Sequence, residues 1–244
     1  TYEAKDIGLA FLKEERWPAD KVIIVTGNEQ MGRFKTIQAA LTDLDQGLAA
    51  KTEHLATGFL RLASGKMSSR EGNVITAAEF IKDITALASE KNEDPHIAEQ
   101  VALGAIQYMI LRQSRGSDIV FDEKKSLSLE GDSGPYLQYA LVRAKSVIAK
   151  AGDTKSEAVP EEPYRIERII LHFPAIAKQA RNFYMPHLLV NYLTELAGEW
   201  NSFYAKERII GGDFEAHKLF VARAFVNTMT NGLTLLGIPT PEKM

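Results

Sequence analysis

The sequence predicts an α/β portion followed by an all-α portion. The first is the C-terminal part of a doubly wound parallel sheet, and the second is an antiparallel helical bundle. A β-branched apolar run, 21–27, lies between two helical patterns, whereas apolar residues after position 165 recur at helical spacing alone. The 244 residues are enough for two domains. We expect these domains to span 1–132 and 133–244.

Charge and apolar content are those of a soluble globular protein, with 45% hydrophobic and 25% charged residues. No run reaches the ~18–20 apolar residues that a membrane span requires. The sequence contains no cysteine, which excludes disulfides and thiolate metal sites, and we expect a cytoplasmic protein. The net charge of −3 argues against indiscriminate nucleic-acid binding, but residues 134–244 carry 13 basic and 11 acidic side chains and are the better candidate for phosphate contacts.

The chain begins with a helical pattern of mixed polarity. Tyr2 and Asp6 are four residues apart and so share a face, where a phenol and a carboxylate can bind an ammonium or guanidinium ion. A surface helix end with a packed tyrosine is the alternative. The run 21–27 predicts a buried parallel strand, followed by a helix to about Leu44. Gln30 lies at the carboxyl end of this strand, where such sheets bind ligands, although it could equally cap the helix.

A glycine-bracketed loop, 65–73, follows a short predicted strand, 59–62. The loop contains two serines, a lysine and an arginine without an apolar period, so its N–H groups, hydroxyls and cations can hold a polyphosphate. An ordinary solvated basic turn is the alternative. Thr76 and Glu79 then form a capping box that starts a helix. His54 could hydrogen-bond near a bound phosphate group, or simply be a packed or exposed loop histidine.

Helical patterns account for most of the rest of the chain. Segments 79–89 and 95–112 are predicted helices of the first domain. Most of the residues in the 95–112 helix are predicted to be core. An extended piece, 119–122, and a linker, 127–132, precede the domain boundary. Three helical patterns after residue 165 predict the bundle, in which we expect these aromatic residues to be buried: Phe173, Trp200 and Phe203.

The second domain opens with a predicted helix, 134–150, whose Tyr136, Tyr139 and Arg143 share one face. Two aromatic rings and a guanidinium can stack on unpaired bases and hold phosphate. A core stripe with a snorkelling arginine is equally consistent with the spacing. Tyr204 lies one position off the apolar stripe of a later helix, and we expect it to face outward.

The order Lys-Met-Ser-Ser-Arg at 66–70 resembles the second signature of class I aminoacyl-tRNA synthetases, the loop that closes over ATP. The resemblance implies that this loop binds ATP through Lys66, Met67, Ser68, Ser69 and Arg70. It also implies that Lys66, Ser69 and Arg70 are catalytic, because positioned cations and donors stabilise the charge on the departing pyrophosphate. The family pattern has a second lysine where this chain has Ser69, and the adjacent Arg70 can supply that charge.

Several motifs in the same order make the whole chain similar to arginyl-tRNA synthetases. Segment 1–6 resembles the stretch that holds the arginine substrate, and the string Glu-Gly-Asp-Ser-Gly-Pro-Tyr-Leu-Gln-Tyr at 130–139 resembles the entry into the anticodon-binding domain. The resemblance implies a Rossmann-like nucleotide-binding domain followed by a helical-bundle anticodon-binding domain. It implies that arginine is bound by Tyr2, Asp6 and Gln30. It implies that tRNA is bound by Tyr136, Tyr139, Arg143, Tyr204 and Met244.

The family activates L-arginine with ATP and transfers it to tRNA(Arg), so the resemblance implies these three partners. It also implies Mg²⁺ from solution without a tightly bound metal, and a whole enzyme that is a cytoplasmic monomer without membrane contact. Leu141 and Met31 stand where the family often has histidine. The first class I signature, His-x-Gly-His, is absent from the sequence, and we expect a fragment without measurable activation of its own.

Two other hypotheses remain open. A class I lysyl-tRNA synthetase can carry the same Lys-Met-Ser-Ser loop, but segments 1–6 and 136–143 argue against it. A stand-alone RNA-binding or scaffold protein that has lost catalysis would lack the front half of the fold. The intact loop at 66–70 argues against such a loss of catalysis.

Overall fold

The computed structural model describes residues 1–63, 76–152 and 158–244, and they form two compact units. The first unit comprises Thr1–Leu60 and Arg115–Ile119. The second comprises Arg61–Ser114 and Val120–Met244. Within the described residues, no helix combines the length and the apolar content that crossing a bilayer requires.

The first unit packs three helices beside a two-stranded parallel sheet. Its elements are α1 (Tyr2–Arg16), β1 (Val22–Gly27), a 3₁₀ turn (Asn28–Gln30), α2 (Met31–Leu44), α3 (Gln46–Lys51) and β2 (Thr52–Thr57). β1 and β2 run parallel, with Val22 opposite Thr52 and Gly27 opposite Thr57. The predicted order of helix, strand and helix is confirmed, whereas β2 is a strand that the sequence did not predict.

The core of the first unit is small and lies among its helices. One cluster of buried residues comprises Ile37, Leu41, Leu48 and Ala49, with Ile7, Ala10 and Phe34 packed against them. β1 is not the buried strand that we predicted, because Ile23 and Val25 are 44% and 60% exposed. Alternate residues of a strand point to opposite faces, and only the face bearing Val22 and Ile24 turns toward the helices.

The second unit is almost entirely helical. Its helices are α4 (Ala77–Ser89), α5 (Pro95–Leu111), α6 (Glu123–Ser126), α7 (Gly134–Lys150), α8 (Arg165–Leu171), α9 (Phe173–Phe183), α10 (Pro186–Lys206) and α11 (Glu215–Leu235). Two short strands pair with each other, β3 (Leu60–Leu62) and β4 (Ile119–Phe121), and all but the first residue of each belong to this unit. The starts of three helices follow from their cap residues, whose side chains accept the expected backbone N–H bonds: Thr76, Asp94 and Ser133.

Helix α7 lies at the centre of the second unit, where it packs against α5, α10 and α11. Trp200 and Phe203 are buried as predicted. The first helical pattern of the bundle is two helices, α8 and α9, because Pro174 in the first turn of α9 lacks the N–H that a continuous helix would need. Phe173 stands at this break and is half-buried, so its predicted place in the core is wrong.

Candidate functional site

In the first unit, the three predicted arginine-binding residues surround one guanidinium, that of Arg33. Its Nη2 donates to Asp6 Oδ2 in a salt bridge, and its Nη1 donates to Gln30 Oε1 at 3.4 Å. The Arg33 Cζ lies 5.8 Å from the centroid of the Tyr2 ring. Its Nε lies 3.7 Å from Glu3 Oε1. A carboxylate, an amide oxygen and an aromatic ring therefore converge on a single guanidinium.

The packing of α1 against α2 brings these side chains together. Tyr2 and Asp6 are one turn apart on α1, and both contact the same group on α2, so the prediction that they share a face is confirmed. Gln30 closes the 3₁₀ turn after β1, and Arg33 follows in the first turn of α2. Backbone hydrogen bonding at the start of α1 lowers the pKa of Glu3 and keeps this carboxylate ionised.

His54 lies within β2 and is packed against α2. Its ring is stacked on Phe34, with 4.2 Å between the centroids, and its Nε2 shares a hydrogen bond of 2.7 Å with Thr26 Oγ1. Burial lowers the pKa of His54 from its usual 6.5 because it disfavours the charged ring. The same ring lines an open cavity of about 500 Å³ with Lys35 and Arg115. These contacts agree with a packed histidine, which was one of the two alternatives.

The predicted ATP loop lies outside the described residues. This applies to Lys66, Met67, Ser68, Ser69 and Arg70. The element that follows it is described, and Thr76 and Glu79 form the predicted capping box, in which Thr76 N donates to Glu79 Oε2 at 2.9 Å. The roles that the sequence suggests for the loop stay predictions.

In the second unit, four of the five predicted tRNA-binding residues line one open cavity of about 510 Å³: Tyr139, Arg143, Tyr204 and Met244. We call this cavity the α7–α10 groove. The Cζ of Arg143 lies 4.1 Å from the centroid of the Tyr204 ring, which is cation–π geometry. Tyr139 is 37% exposed. The groove therefore presents two phenol rings and a guanidinium to solvent, as an aromatic and cationic platform for a nucleic acid requires.

The segment after α11 carries Met244 to this groove. Gln138, which is fully buried on α7, donates from Nε2 to Pro239 O at 2.9 Å and to Gln100 O at 3.0 Å. Lys145 Nζ, one turn before the end of α7, bonds to Glu242 Oε1 at 2.7 Å. Two side chains of α7 thus hold the C-terminal segment along the helix.

Tyr136 is not among the residues that line the groove. Its hydroxyl accepts a hydrogen bond of 3.1 Å from Asn201 Nδ2, and its ring is half-buried against α10. Residues three apart on a helix differ in direction by a fraction of a turn, which is enough to aim Tyr136 at α10 and Tyr139 at solvent. The structure gives Tyr136 a packing contact, and its predicted contact with tRNA remains a prediction.

Sequence reasoning missed several residues that belong to these sites. Arg33 and Glu3 join the first site, and Lys150 and Arg208 line the groove. Lys150 could have been found, since it lies seven residues after Arg143 and hence on the same face of α7. Arg33 could not, because its role depends on how α2 packs against α1.

Comparison with known protein families agrees with this geometry. Residues 1–123 match the family model described as tRNA synthetases class I (R), catalytic domain. Residues 137–244 match the model described as DALR anticodon binding domain. Fold and matches together define a class I tRNA synthetase catalytic portion joined to an anticodon-binding domain. Within that class, the chain belongs to the arginyl-tRNA synthetase family, which favours the arginyl hypothesis over the lysyl one.

Individual relatives bear the same name. The chain is 32% identical to the arginine–tRNA ligase of Bacteroides thetaiotaomicron and 30% identical to that of Clostridium botulinum. All of this chain is covered, but only 45% and 46% of those proteins. The solved arginyl-tRNA synthetase of Thermus thermophilus matches with a TM-score of 0.86 at 30% identity, over all of this chain and 49% of that one. The chain thus spans about half the length of the relatives that it matches.

Proposed function

We propose that this chain is part of an enzyme that activates L-arginine with ATP and transfers it to tRNA(Arg). The observation that carries the proposal is the convergence of Tyr2, Asp6 and Gln30 on a guanidinium, which is the group that distinguishes arginine from other amino acids. A planar guanidinium requires acceptors that lie side by side, and a carboxylate with a neighbouring amide oxygen supplies them. The remaining part of the active site belongs to the rest of the enzyme.

The loop at 66–70 supplies the ATP site in this proposal. Lys66, Met67, Ser68, Ser69 and Arg70 bind the phosphates of ATP, with Mg²⁺ from solution as its counter-ion. Lys66, Ser69 and Arg70 stabilise the charge that develops on pyrophosphate as the arginyl-adenylate forms. The chain alone does not activate arginine, since catalysis requires all the groups around ATP to be held together. The whole enzyme is a cytoplasmic monomer.

The α7–α10 groove binds the anticodon stem and loop of the tRNA. Tyr139 and Tyr204 stack on unpaired bases, Arg143 contacts phosphate, and Met244 closes one end of the groove. The functional boundary then falls between 1–132, the catalytic part, and 133–244, the anticodon-binding domain. Lys150 and Arg208 add two cations to the same surface.

Replacement of Arg143 tests the tRNA part of the proposal. We expect Arg143→Ala to weaken binding of tRNA to the chain by about tenfold and to reduce the slope of log affinity against log salt by about one unit, with little change in melting temperature. Binding is measured by fluorescence anisotropy over a series of salt concentrations. Arg223→Ala, which removes an exposed arginine of α11 outside the groove, is the matched control and should change neither quantity.

Tyr136→Phe serves as a second control in the same experiment. It removes only the hydroxyl bonded to Asn201 and keeps the ring that the sequence predicts to stack on RNA, so it should cost about 1 kcal/mol of folding free energy and leave tRNA affinity unchanged. If Arg143→Ala lowers the melting temperature but not the affinity, Arg143 is a packing residue and the groove does not bind tRNA. If Tyr136→Phe weakens tRNA binding, the Tyr136 hydroxyl also contacts RNA.

A further inference from the structure

The arginine side chain that the first site holds belongs to the protein itself. Arg33 donates to Asp6 and to Gln30, and its guanidinium lies over the ring of Tyr2. These are the three residues to which the proposed function gives the substrate guanidinium. The same chemical group, carried on α2, therefore fills the place that free arginine would take.

Arg33 and a substrate arginine cannot use this site together. The groups that attract a guanidinium here are one carboxylate at contact distance, Asp6, and a second at 3.7 Å, Glu3. A second guanidinium at the Asp6 carboxylate would meet the positive charge of the first at close range, where like charges repel strongly. Occupation by one excludes the other.

The contacts that hold Arg33 in the site are weak enough to break. Only its bond to Asp6 is short, since the contact with Gln30 spans 3.4 Å and the contact with Glu3 spans 3.7 Å. Within the described part of the chain, its Nε is buried without a hydrogen-bond partner, so fewer than half of the N–H donors of this guanidinium are used. The side chain remains 31% exposed, which leaves a path into solvent.

We propose that Arg33 is an internal competitor for the arginine site. It pairs with Asp6 when the site holds no substrate, and it swings out when free arginine binds. The inference rests on the proposed function of Tyr2, Asp6 and Gln30. Its consequence is a reduced apparent affinity for arginine. The apparent affinity equals the intrinsic affinity multiplied by the fraction of molecules in which Arg33 has left the site.

Calorimetric titration of the full chain with L-arginine tests the inference. Vacating the site by Arg33→Ala should tighten binding by about threefold to tenfold. The matched control is Lys5→Ala, which removes the same charge from α1. Lys5 Nζ lies 5.7 Å from the centroid of the Tyr2 ring but does not bond to Asp6, so its loss should have little effect. Arg33→Met, which retains an aliphatic side chain, replaces Arg33→Ala if the alanine variant does not fold.

The outcomes separate the two hypotheses. Equal tightening by Lys5→Ala and Arg33→Ala would overturn the inference, because the gain would then be a general effect of charge. Unchanged or weaker binding in Arg33→Ala would also overturn it, while loss of binding in Asp6→Asn would leave the proposed arginine site standing. If none of the variants with Asp6 intact binds arginine, the proposed site fails and the inference fails with it.

Discussion

At the scale of single residues, both sites combine a guanidinium with a phenol ring, but the two arginines differ in whether a carboxylate pairs with them. Arg33 is held by carboxylates and is partly satisfied. Arg143 lies over Tyr204 without a carboxylate partner among the described residues. A guanidinium on an aromatic face keeps most of its N–H donors for other acceptors. Arg143 is therefore the residue that an incoming phosphate can engage without first breaking an ion pair.

His54 makes the first unit sensitive to acid. Burial lowers its pKa below 6.5, so the unfolded chain takes up a proton at a higher pH than the folded one. The stability that the neutral ring contributes is complete above about pH 6.5 and is lost as the pH falls through the folded pKa. We expect the free energy of unfolding of the first unit, measured by urea denaturation, to fall between pH 7.5 and pH 5.

Two variants check this dependence on pH. His54→Gln retains a polar group for Thr26 but does not titrate. It should therefore reduce the fall in the free energy of unfolding between pH 7.5 and pH 5. His172→Gln, at an exposed histidine, should leave the curve unchanged. An NMR titration that places the pKa of His54 above 6.5 would contradict the burial argument.

At the scale of elements, the crossing of α5 and α7 depends on two glycines. A Cβ on Gly134 would lie 2.1 Å from Gly104 O, a backbone atom that cannot turn aside. We expect Gly134→Ala to destabilise the second unit by about 1–3 kcal/mol through overpacking. Thermal and urea denaturation followed by circular dichroism measure the loss.

Gly198→Ala is the control for this prediction. A Cβ on Gly198 would meet nothing closer than the Tyr136 hydroxyl at 3.7 Å. The change should stabilise α10 by about 0.5–1 kcal/mol, since alanine loses less conformational entropy in a helix than glycine does. Equal changes in stability for the two substitutions would show that α5 and α7 have room for a Cβ at position 134.

The elements that could be predicted from the sequence are those with strong local signals. Thr76 and Glu79 form the predicted capping box, and the helices predicted over 95–112 and 134–150 are observed as Pro95–Leu111 and Gly134–Lys150. β2 escaped prediction because Thr52, Glu53 and His54 are polar, and its partner β1, not its composition, makes it a strand.

The site residues also divide into those that local sequence patterns predict and those that depend on distant contacts. Tyr139, Arg143 and Tyr204 could be placed on faces by helical spacing, and the structure brings them to one groove. The place of Arg33 between Asp6 and Gln30 depends on contacts between distant elements. No local pattern in a sequence reports such contacts.

At the scale of the whole molecule, the first unit leaves one apolar face of strand β1 uncovered. Among the described residues β1 pairs with β2 alone, and Ile23 and Val25 are exposed on it. An unpaired strand edge next to apolar side chains is a surface on which chains associate. We expect the chain to self-associate as its concentration rises, and we expect Val25→Lys to reduce this association.

Sedimentation velocity over a series of concentrations measures the effect. Val159→Lys is the control, since Val159 is 65% exposed but lies outside any strand. It should not change the association. A chain that stays monomeric at every concentration before any substitution would contradict this prediction.

The anchored C-terminal segment has a practical consequence for handling the protein. Met244 lines the groove, and the segment that leads to it is held by the bonds of Gln138 to Pro239 and of Lys145 to Glu242. Residues added after Met244 would start beside Tyr139 and Arg143 and would obstruct the groove to which we assign tRNA. Weak tRNA binding by a preparation tagged after Met244 would therefore report on the tag and not on the groove.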